Sequence, residues 1–142
     1  MNNPKGNIPP EIQHLIIGET YLDRKDYRLA SEEFSKAREI NPDSEYVHSS
    51  FGHLYLQQKQ YPEALEEFNK AIKINAEFKS VHLGLGIIYL EEGLYDLAEK
   101  ELEETLRFDN QDISVHQMLG YVYKRRGKPE LSVNEFIKAT GL

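Results

Sequence analysis

Histidine has the widest chemical range of the side chains in this sequence, because imidazole can bind a metal or exchange a proton near neutral pH. Four of the five histidines follow one another at intervals of 34 residues. Zinc needs its ligand atoms about 2.0–2.1 Å from one ion, whereas packed helices lie about 8–10 Å apart. We therefore expect these histidines to be structural, each half-buried with one hydrogen bond, and to bind no metal. They are His14, His48, His82 and His116.

The other reactive side chains form no catalytic pattern. Residues 84–86 read Gly-Leu-Gly, like the start of a dinucleotide-binding loop, but they lack the third glycine and lie within a predicted helix. The acid pairs at 91–92 and 103–104 are neighbours in predicted helices, so their side chains diverge. Cysteine is absent, which excludes disulfides and thiolate metal sites. We expect no enzymatic activity and no cofactor.

Composition narrows the remaining function classes. The chain has 142 residues, of which 39% are hydrophobic, and its net charge is −7. An acidic balance argues against a general nucleic-acid binder, and no apolar stretch is long enough to cross a membrane. Residues 1–10 contain three prolines and no apolar signal segment, so we expect a disordered leader there. These features predict a cytoplasmic chain that neither inserts into a membrane nor binds nucleic acid.

The four histidines occupy one position of a 34-residue repeat that runs through the chain. Residues that share a repeat position are called a column below. Glycine and tyrosine keep the same interval in every copy, and alanine and phenylalanine keep it in most copies. Independent columns in one register predict four structural units, the last of them shorter. The units are residues 11–44, 45–78, 79–112 and 113–142. The columns are Gly18, Gly52, Gly86 and Gly120; Tyr21, Tyr55, Tyr89 and Tyr123; Ala30, Ala64 and Ala98; and Phe34, Phe68 and Phe136.

Each unit is predicted to be a pair of helices. Apolar residues recur at helical spacing in both halves of a unit. Gly93 and Gly127 fit the left-handed position just after a helix. Asp43 or Ser44 fits the position that caps the second unit's first helix, and Asp112 fits the same position in the fourth unit. The glycine column lies inside first helices, where glycine costs about 1 kcal/mol relative to alanine. Close approach of the paired helix explains that cost, with the alanine column as the expected facing residues.

This pattern resembles the tetratricopeptide repeat, whose unit of 34 residues has the signature W-x2-L-G-x2-Y…A-x3-F…P. The second unit matches it best, with Gly52, Tyr55, Ala64 and Phe68. Histidine replaces the tryptophan of the signature in all four units, and the terminal proline is present only as Pro42. The resemblance covers nearly the whole chain. It implies an all-α, right-handed solenoid of antiparallel helix pairs.

The resemblance also implies a function and a surface. The family consists of non-catalytic interaction modules in which the first helices line a concave groove, so a partner peptide or helix is expected to bind there. Tyr46, Leu83, Ile87 and Tyr121 would form an apolar stripe in that groove. Alternatively, some of the groove residues pack beneath neighbouring side chains. The groove-facing places are Ile12, Leu15, Glu19, Tyr46, Ser49, His53, Ser80, Leu83, Ile87, Gln117 and Tyr121.

One family subtype binds a partner's terminal carboxylate through lysine, asparagine and arginine on first helices. The matching places in this sequence are Leu15, Glu19, Ser50, Ser80 and Gly84, and none of them is basic. The resemblance therefore implies an apolar peptide without a required free carboxylate. Glu19 would favour a basic residue at one end of it.

Self-association is the alternative function that the sequence leaves open. Val133 and Ile137 would form an apolar association surface on the last helix, because the solvating helix that usually follows the last unit is missing here. The third unit has a net charge of −6 and the fourth +3, with a basic run at residues 124–128. These charges either form a solvated face or contact a partner or another copy. The expected partners are therefore a protein or peptide, or a second copy of the chain.

Overall fold

The computed structural model describes residues 6–141, which form eight helices and, within that range, no strand. Residues 6–9 have no regular secondary structure. Pro10, predicted as part of the leader, is instead the first residue of the first helix; the leader's residues 1–5 lie outside the described residues. The helices are α1 Pro10–Asp23, α2 Tyr27–Ile40, α3 Glu45–Gln57, α4 Tyr61–Ile74, α5 Lys79–Glu91, α6 Tyr95–Leu106, α7 Ile113–Arg125 and α8 Pro129–Ala139.

The helices divide between two compact units, residues 1–76 and residues 77–142. Within the N-terminal unit, α1 packs against α2, α3 packs against α4, and both α1 and α2 contact α3. The C-terminal unit repeats this arrangement with α5 to α8. Each unit has a core of aliphatic and aromatic side chains from first and second helices. The cores include Leu15, Leu22, Phe34, Val47, Phe51 and Leu54 in the N-terminal unit, and Leu90, Leu102, Val115, Leu119 and Val122 in the C-terminal unit.

The turns inside the helix pairs share one backbone feature. Gly93 and Gly127 have φ of 74° and 73°, which confirms their predicted left-handed conformation. Lys25 and Lys59 occupy the same repeat position and also have positive φ, at 60° and 59°. A side chain in this conformation costs roughly 1–2 kcal/mol. The turn geometry is therefore fixed by the fold rather than by the residue present.

Side-chain caps begin several helices. The hydroxyl of Ser44 accepts a hydrogen bond from the Tyr46 N–H, and the carboxylate of Asp112 accepts one from the Val115 N–H. Asp112 was predicted as a cap, and of the two candidates Asp43 and Ser44 it is Ser44 that caps α3. Asp26 caps α2 in the same way through the Leu29 N–H, although it was not predicted as a cap.

The glycine column has a different cause from the one predicted. A Cβ atom on Gly18 would lie 2.4 Å from the Phe34 ring, and one on Gly52 would lie 2.4 Å from the Phe68 ring. The expectation that small alanines face these glycines is therefore wrong. The paired helix does approach closely, but it does so with a large side chain that fills the space where a glycine side chain would be: a phenylalanine ring, or Leu102 at Gly86.

No helix in residues 6–141 combines the length and apolar character needed to cross a membrane.

Candidate binding faces and the histidine–glutamate pairs

Each of the four repeating histidines is bonded to a glutamate on the second helix of its own pair. Nδ1 of the ring lies 2.7 Å from a carboxylate oxygen in every repeat, and the two residues are always 19 positions apart. The His48, His82 and His116 side chains are 13%, 8% and 7% exposed. The predicted structural role agrees with this geometry, but His82 and His116 are buried rather than half-buried. Nε2 of His116 also makes a second hydrogen bond, 2.9 Å from the Asn110 carbonyl. The pairs are His14–Glu33, His48–Glu67, His82–Glu101 and His116–Glu135.

The glutamate column was missed by the sequence analysis although it keeps the same interval as the histidines. Glutamate is usually solvated, so an isolated glutamate on a helix carries little signal. The pairing perturbs the carboxylate: the hydrogen bond from His14, followed by the one from Lys36, lowers the pKa of Glu33. No group of three or more metal-ligating side chains converges among residues 6–141. The expectation that the histidines bind no metal stays a prediction.

The N-terminal face consists of the first-helix residues Ile12, Glu19, Tyr46 and His53. Tyr46 is 49% exposed, Glu19 is exposed and Ile12 is half-buried. The His53 ring packs edge-on against Phe68, with ring centroids 5.0 Å apart. Burial lowers the pKa of His53 to about 4, so the ring is neutral at physiological pH. This face therefore combines an aromatic, an aliphatic and an acidic group.

A cleft of about 230 Å³ lies within the N-terminal face, between α1 and α3. Its lining includes the carboxylates of Glu19 and Asp23 and the polar side chains of Ser50 and Gln57. The Ser50 hydroxyl donates a 3.3 Å hydrogen bond to Glu19. Burial is the main cause that raises the pKa of Glu19, and the nearby charge of Asp23 also raises it. Asp23 and Gln57 were not predicted, although each lies one helical turn beyond a predicted residue.

The C-terminal face consists of Ser80, Leu83, Ile87, Gln117 and Tyr121 on α5 and α7. Tyr121 is 51% exposed, and its ring packs edge-on against Phe136 at a centroid distance of 5.2 Å. Gln117 is exposed, whereas Ser80, Leu83 and Ile87 are half-buried. The tyrosine is thus held by a second helix while much of its surface remains accessible.

Two predicted groove residues need correction. Leu15 is 3% exposed and Ser49 is 5% exposed, so neither presents a surface to a partner. They occupy the same repeat position, and Leu15 belongs to the core that α1 forms with α3. The alternative interpretation, that some groove positions pack beneath neighbours, is the correct one for these two residues. The half-buried Leu83 occupies the same position in the third repeat.

Some of the charged residues that were considered for partner binding form ion pairs within the C-terminal unit. Arg126 of the basic run forms ion pairs with Asp96, at 3.0 Å, and with Glu99. Glu99 also accepts a 2.9 Å hydrogen bond from the Tyr123 hydroxyl. Burial, followed by that hydrogen bond, raises the pKa of Tyr123 to about 12. Arg126 therefore joins α6 to α7 and is not a free cation for a partner.

The predicted association surface is exposed on α8. Val133 is 56% exposed and Ile137 is 49% exposed. Phe136 between them is half-buried, whereas its repeat counterparts Phe34 and Leu102 are fully buried.

Comparison with known families agrees with the repeat geometry. Two family models described as tetratricopeptide repeat match the chain, one over residues 14–44 and the other over residues 55–120. The chain belongs to the tetratricopeptide repeat family. The predicted all-α fold of antiparallel helix pairs is thereby confirmed. Proteins of this family are in general protein-interaction scaffolds, and the chain shares that general function.

Solved structures share this fold at low sequence identity. PilF of Pseudomonas aeruginosa is 24% identical with a TM-score of 0.85; the match covers 93% of this chain and 60% of the PilF chain. MamA is 24% identical with a TM-score of 0.78, over 92% of this chain and 77% of that one. Cut9, from the APC/C hetero-tetramer Cut9–Hcn1, is 18% identical with a TM-score of 0.86, over 92% of this chain and 26% of that one. No curated protein matches the chain significantly.

Proposed function

We propose that the chain is a non-catalytic interaction scaffold whose N-terminal face and C-terminal face each bind an apolar peptide segment of a partner protein. The observation that carries the proposal is the pair of exposed tyrosines, Tyr46 and Tyr121, one on each face. Tyrosine offers a large contact area with few rotatable bonds and a hydroxyl that can bond at the rim. Tyrosines are therefore enriched among the residues that dominate binding energy.

The neighbours of the tyrosines support this interpretation. On the C-terminal face, Leu83 and Ile87 are half-buried, so part of each side chain is available to an apolar ligand. Tyr121 is held edge-on by Phe136, which reduces the entropy that binding would otherwise cost. The exposed Gln117 amide can bond to a peptide backbone.

The N-terminal face adds a preference for a positive charge. No ion pair joins Glu19 or Asp23 to a cation within residues 6–141, and both carboxylates line the cleft. A lysine or arginine in the peptide would neutralise them there. Because these two acids are the main charges in the proposed contact, affinity should depend only weakly on salt.

The test is a selection of peptides on the purified chain from a displayed library of random peptides. We expect enriched sequences to combine aromatic or aliphatic residues with one lysine or arginine. In direct titrations, Tyr121→Ala combined with Ile87→Ala should weaken the selected peptide roughly tenfold or more, since 1.4 kcal/mol is a factor of ten. Ile74→Ala is the matched control, because Ile74 is 48% exposed on a second helix.

Two results would contradict the proposal. One is a selected peptide whose binding is unchanged in the double variant. The other is binding that disappears in moderate salt and depends on Lys124, Arg125 and Lys128 instead.

A further inference from the structure

The outer side of α8 has an apolar face that no residue among 6–141 covers. Val133 and Ile137 are 56% and 49% exposed. Phe136 is half-buried, although its counterparts Phe34 and Phe68 have no exposed surface. The equivalent side of α2 is covered by α3, and that of α6 is covered by α7. In both examples, the helix that packs on this side of a second helix is the first helix of the next repeat.

The first helix of the chain has an uncovered side of the matching kind. Ile17 on α1 is 44% exposed, whereas Phe51 and Leu119 at the same repeat position are each 2% exposed. Phe51 reaches that burial partly through Phe34 on α2, with the two rings in edge contact at 5.8 Å. At the same repeat positions on the two uncovered sides, the equivalent contact would join Phe136 of one copy to Ile17 of another.

The charges at the same two sides are also complementary. At the junction of α6 and α7, Asp96 forms an ion pair with Arg126 at 3.0 Å. The residues at these two repeat positions are Glu130 on α8 and Arg24, the residue directly after α1. Both are exposed, and no ion pair involves either of them among residues 6–141. The acid and the base thus recur, in the same order, on the two uncovered sides.

The net charges of the end repeats are also of opposite sign, although the local pair places its acid on the positive repeat and its base on the negative one. Residues 11–44 contain five basic and eight acidic side chains, while residues 113–142 contain five basic and two acidic ones. The first repeat is therefore negative and the last is positive. Two such surfaces attract one another before contact.

We propose that α8 of one copy binds α1 of a second copy in the manner in which α6 binds α7. Val133, Phe136 and Ile137 would cover Ile17 and the ring of Tyr21, and Glu130 would pair with Arg24. This surface lies on different residues from those of the proposed peptide-binding function, so either proposal can fail without the other.

The contact is weak for a physical reason. Val47 and Leu54 of α3 are buried, but Gln13 and Thr20 of α1 hold those repeat positions. Both polar groups bond within their own chain, Gln13 to the Ile8 carbonyl and Thr20 to the Ile16 carbonyl. They can enter the contact without losing these bonds, but they add little apolar area. Association should therefore be reversible and dependent on concentration.

The interface is heterologous, so each copy keeps one side free for another copy. Sedimentation-velocity ultracentrifugation over a range of concentrations should show species that grow beyond the dimer. Ile137→Glu and Ile17→Lys should each abolish this growth, and each variant alone should be monomeric. Mixing the two should give a dimer and nothing larger, because one intact α8 side meets one intact α1 side.

A charge exchange tests the register of the contact. Glu130→Arg or Arg24→Glu alone should weaken association several-fold, roughly fivefold for an exposed pair whose partner now repels it. The double variant should recover most of the lost affinity. Glu63→Arg is the matched control: Glu63 and Glu130 are both first-turn acids of a second helix. It should leave association unchanged, and circular dichroism should show that every variant keeps its helicity.

Three outcomes would overturn the proposal. The chain could remain monomeric at every concentration. Ile137→Glu could abolish association while Ile17→Lys leaves it intact, so that α8 meets another surface. The mixture of the two variants could stay monomeric although the parent chain associates.

Discussion

His53 is the histidine that burial keeps neutral, and its environment differs from that of the repeating histidines. It contacts the Phe68 ring and lies beside the acidic cleft of the N-terminal face. Its folded-state pKa of about 4 is below the ordinary value of 6.5. Between these two pH values the unfolded chain binds a proton at His53 that the folded chain does not bind. The titration of His53 therefore has no effect on the free energy of unfolding above about pH 6.5, and it lowers that free energy as the pH drops towards 4.

We predict that this titration lowers the free energy of unfolding by up to about 3 kcal/mol at acidic pH, since each unit of pKa shift corresponds to about 1.36 kcal/mol. Urea denaturation at neutral pH and near pH 4.5 measures the loss. His53→Gln should remove most of the difference between the two conditions. An equal difference in the parent chain and the variant would show that other groups cause the acid sensitivity.

The histidine–glutamate pairs predict a coupling between residues that lie 19 positions apart. In a double-mutant cycle, His48→Ala and Glu67→Ala should be non-additive by about 1 kcal/mol, because each change leaves the other partner without its buried hydrogen bond. Glu66→Ala is the neighbouring control, since the Glu66 side chain is 68% exposed. Strict additivity would mean that the 2.7 Å contact contributes no stability.

At this scale the sequence predicted the histidines' role but not their partners. The 34-residue interval marked the histidines as repeated structural positions, and the same interval in the glutamates was available. The sequence could not predict which residues of a column are exposed to solvent. Leu15 and Gln117 share one repeat position, yet Leu15 is buried and Gln117 is exposed. The difference depends on whether a following first helix packs over the residue, which no local pattern encodes.

At the scale of helices, the glycine column determines how closely the two helices of a pair approach. We predict that Gly52→Ala destabilises the chain by about 1–3 kcal/mol, since the new methyl group would overlap the Phe68 ring. Alanine's better helix propensity, about 1 kcal/mol, opposes this and is too small to reverse it. Thermal unfolding of Gly52→Ala beside Asn69→Ala, an exposed helical control, measures the effect. A stabilised Gly52→Ala would contradict the packing explanation.

The left-handed turns give a prediction of opposite sign for two equivalent positions. Lys59→Gly should stabilise the chain, and Gly93→Lys should destabilise it, each by about 1 kcal/mol, because only glycine adopts positive φ without strain. Urea denaturation of the two variants measures both effects. Changes of the same sign in the two variants would exclude backbone strain as the cause.

The helix pairs themselves followed from the sequence because glycine, tyrosine, alanine and phenylalanine repeat in one register. Helix starts at Asp112 and at Asp43 or Ser44 were also readable, since a capping oxygen has a local role. The large side chain that faces each glycine, a phenylalanine ring or Leu102, was not readable in this way. Its identity depends on the angle at which the second helix returns, and the phenylalanine column could be assigned to the core without naming what it contacts.

At the scale of the whole molecule, the chain offers two kinds of surface with separate expected uses. The first helices present tyrosines and an acidic cleft for a peptide, and the sides of α1 and α8 present a matched contact for another copy. The sequence could predict the first kind from its family resemblance. It could not separate buried from accessible positions within it, so Leu15 and Ser49 were included while Asp23 and Gln57 were omitted.

The most direct test of the central claim is an NMR titration of the isotope-labelled chain with the peptide most enriched in the library selection. We predict that amide shifts concentrate on the N-terminal and C-terminal faces, around Tyr46, His53, Ile87 and Tyr121. Second-helix amides away from these faces, such as that of Ile74, should change little. Shifts confined to α8 or to residues 124–128, with these faces unchanged, would contradict the account.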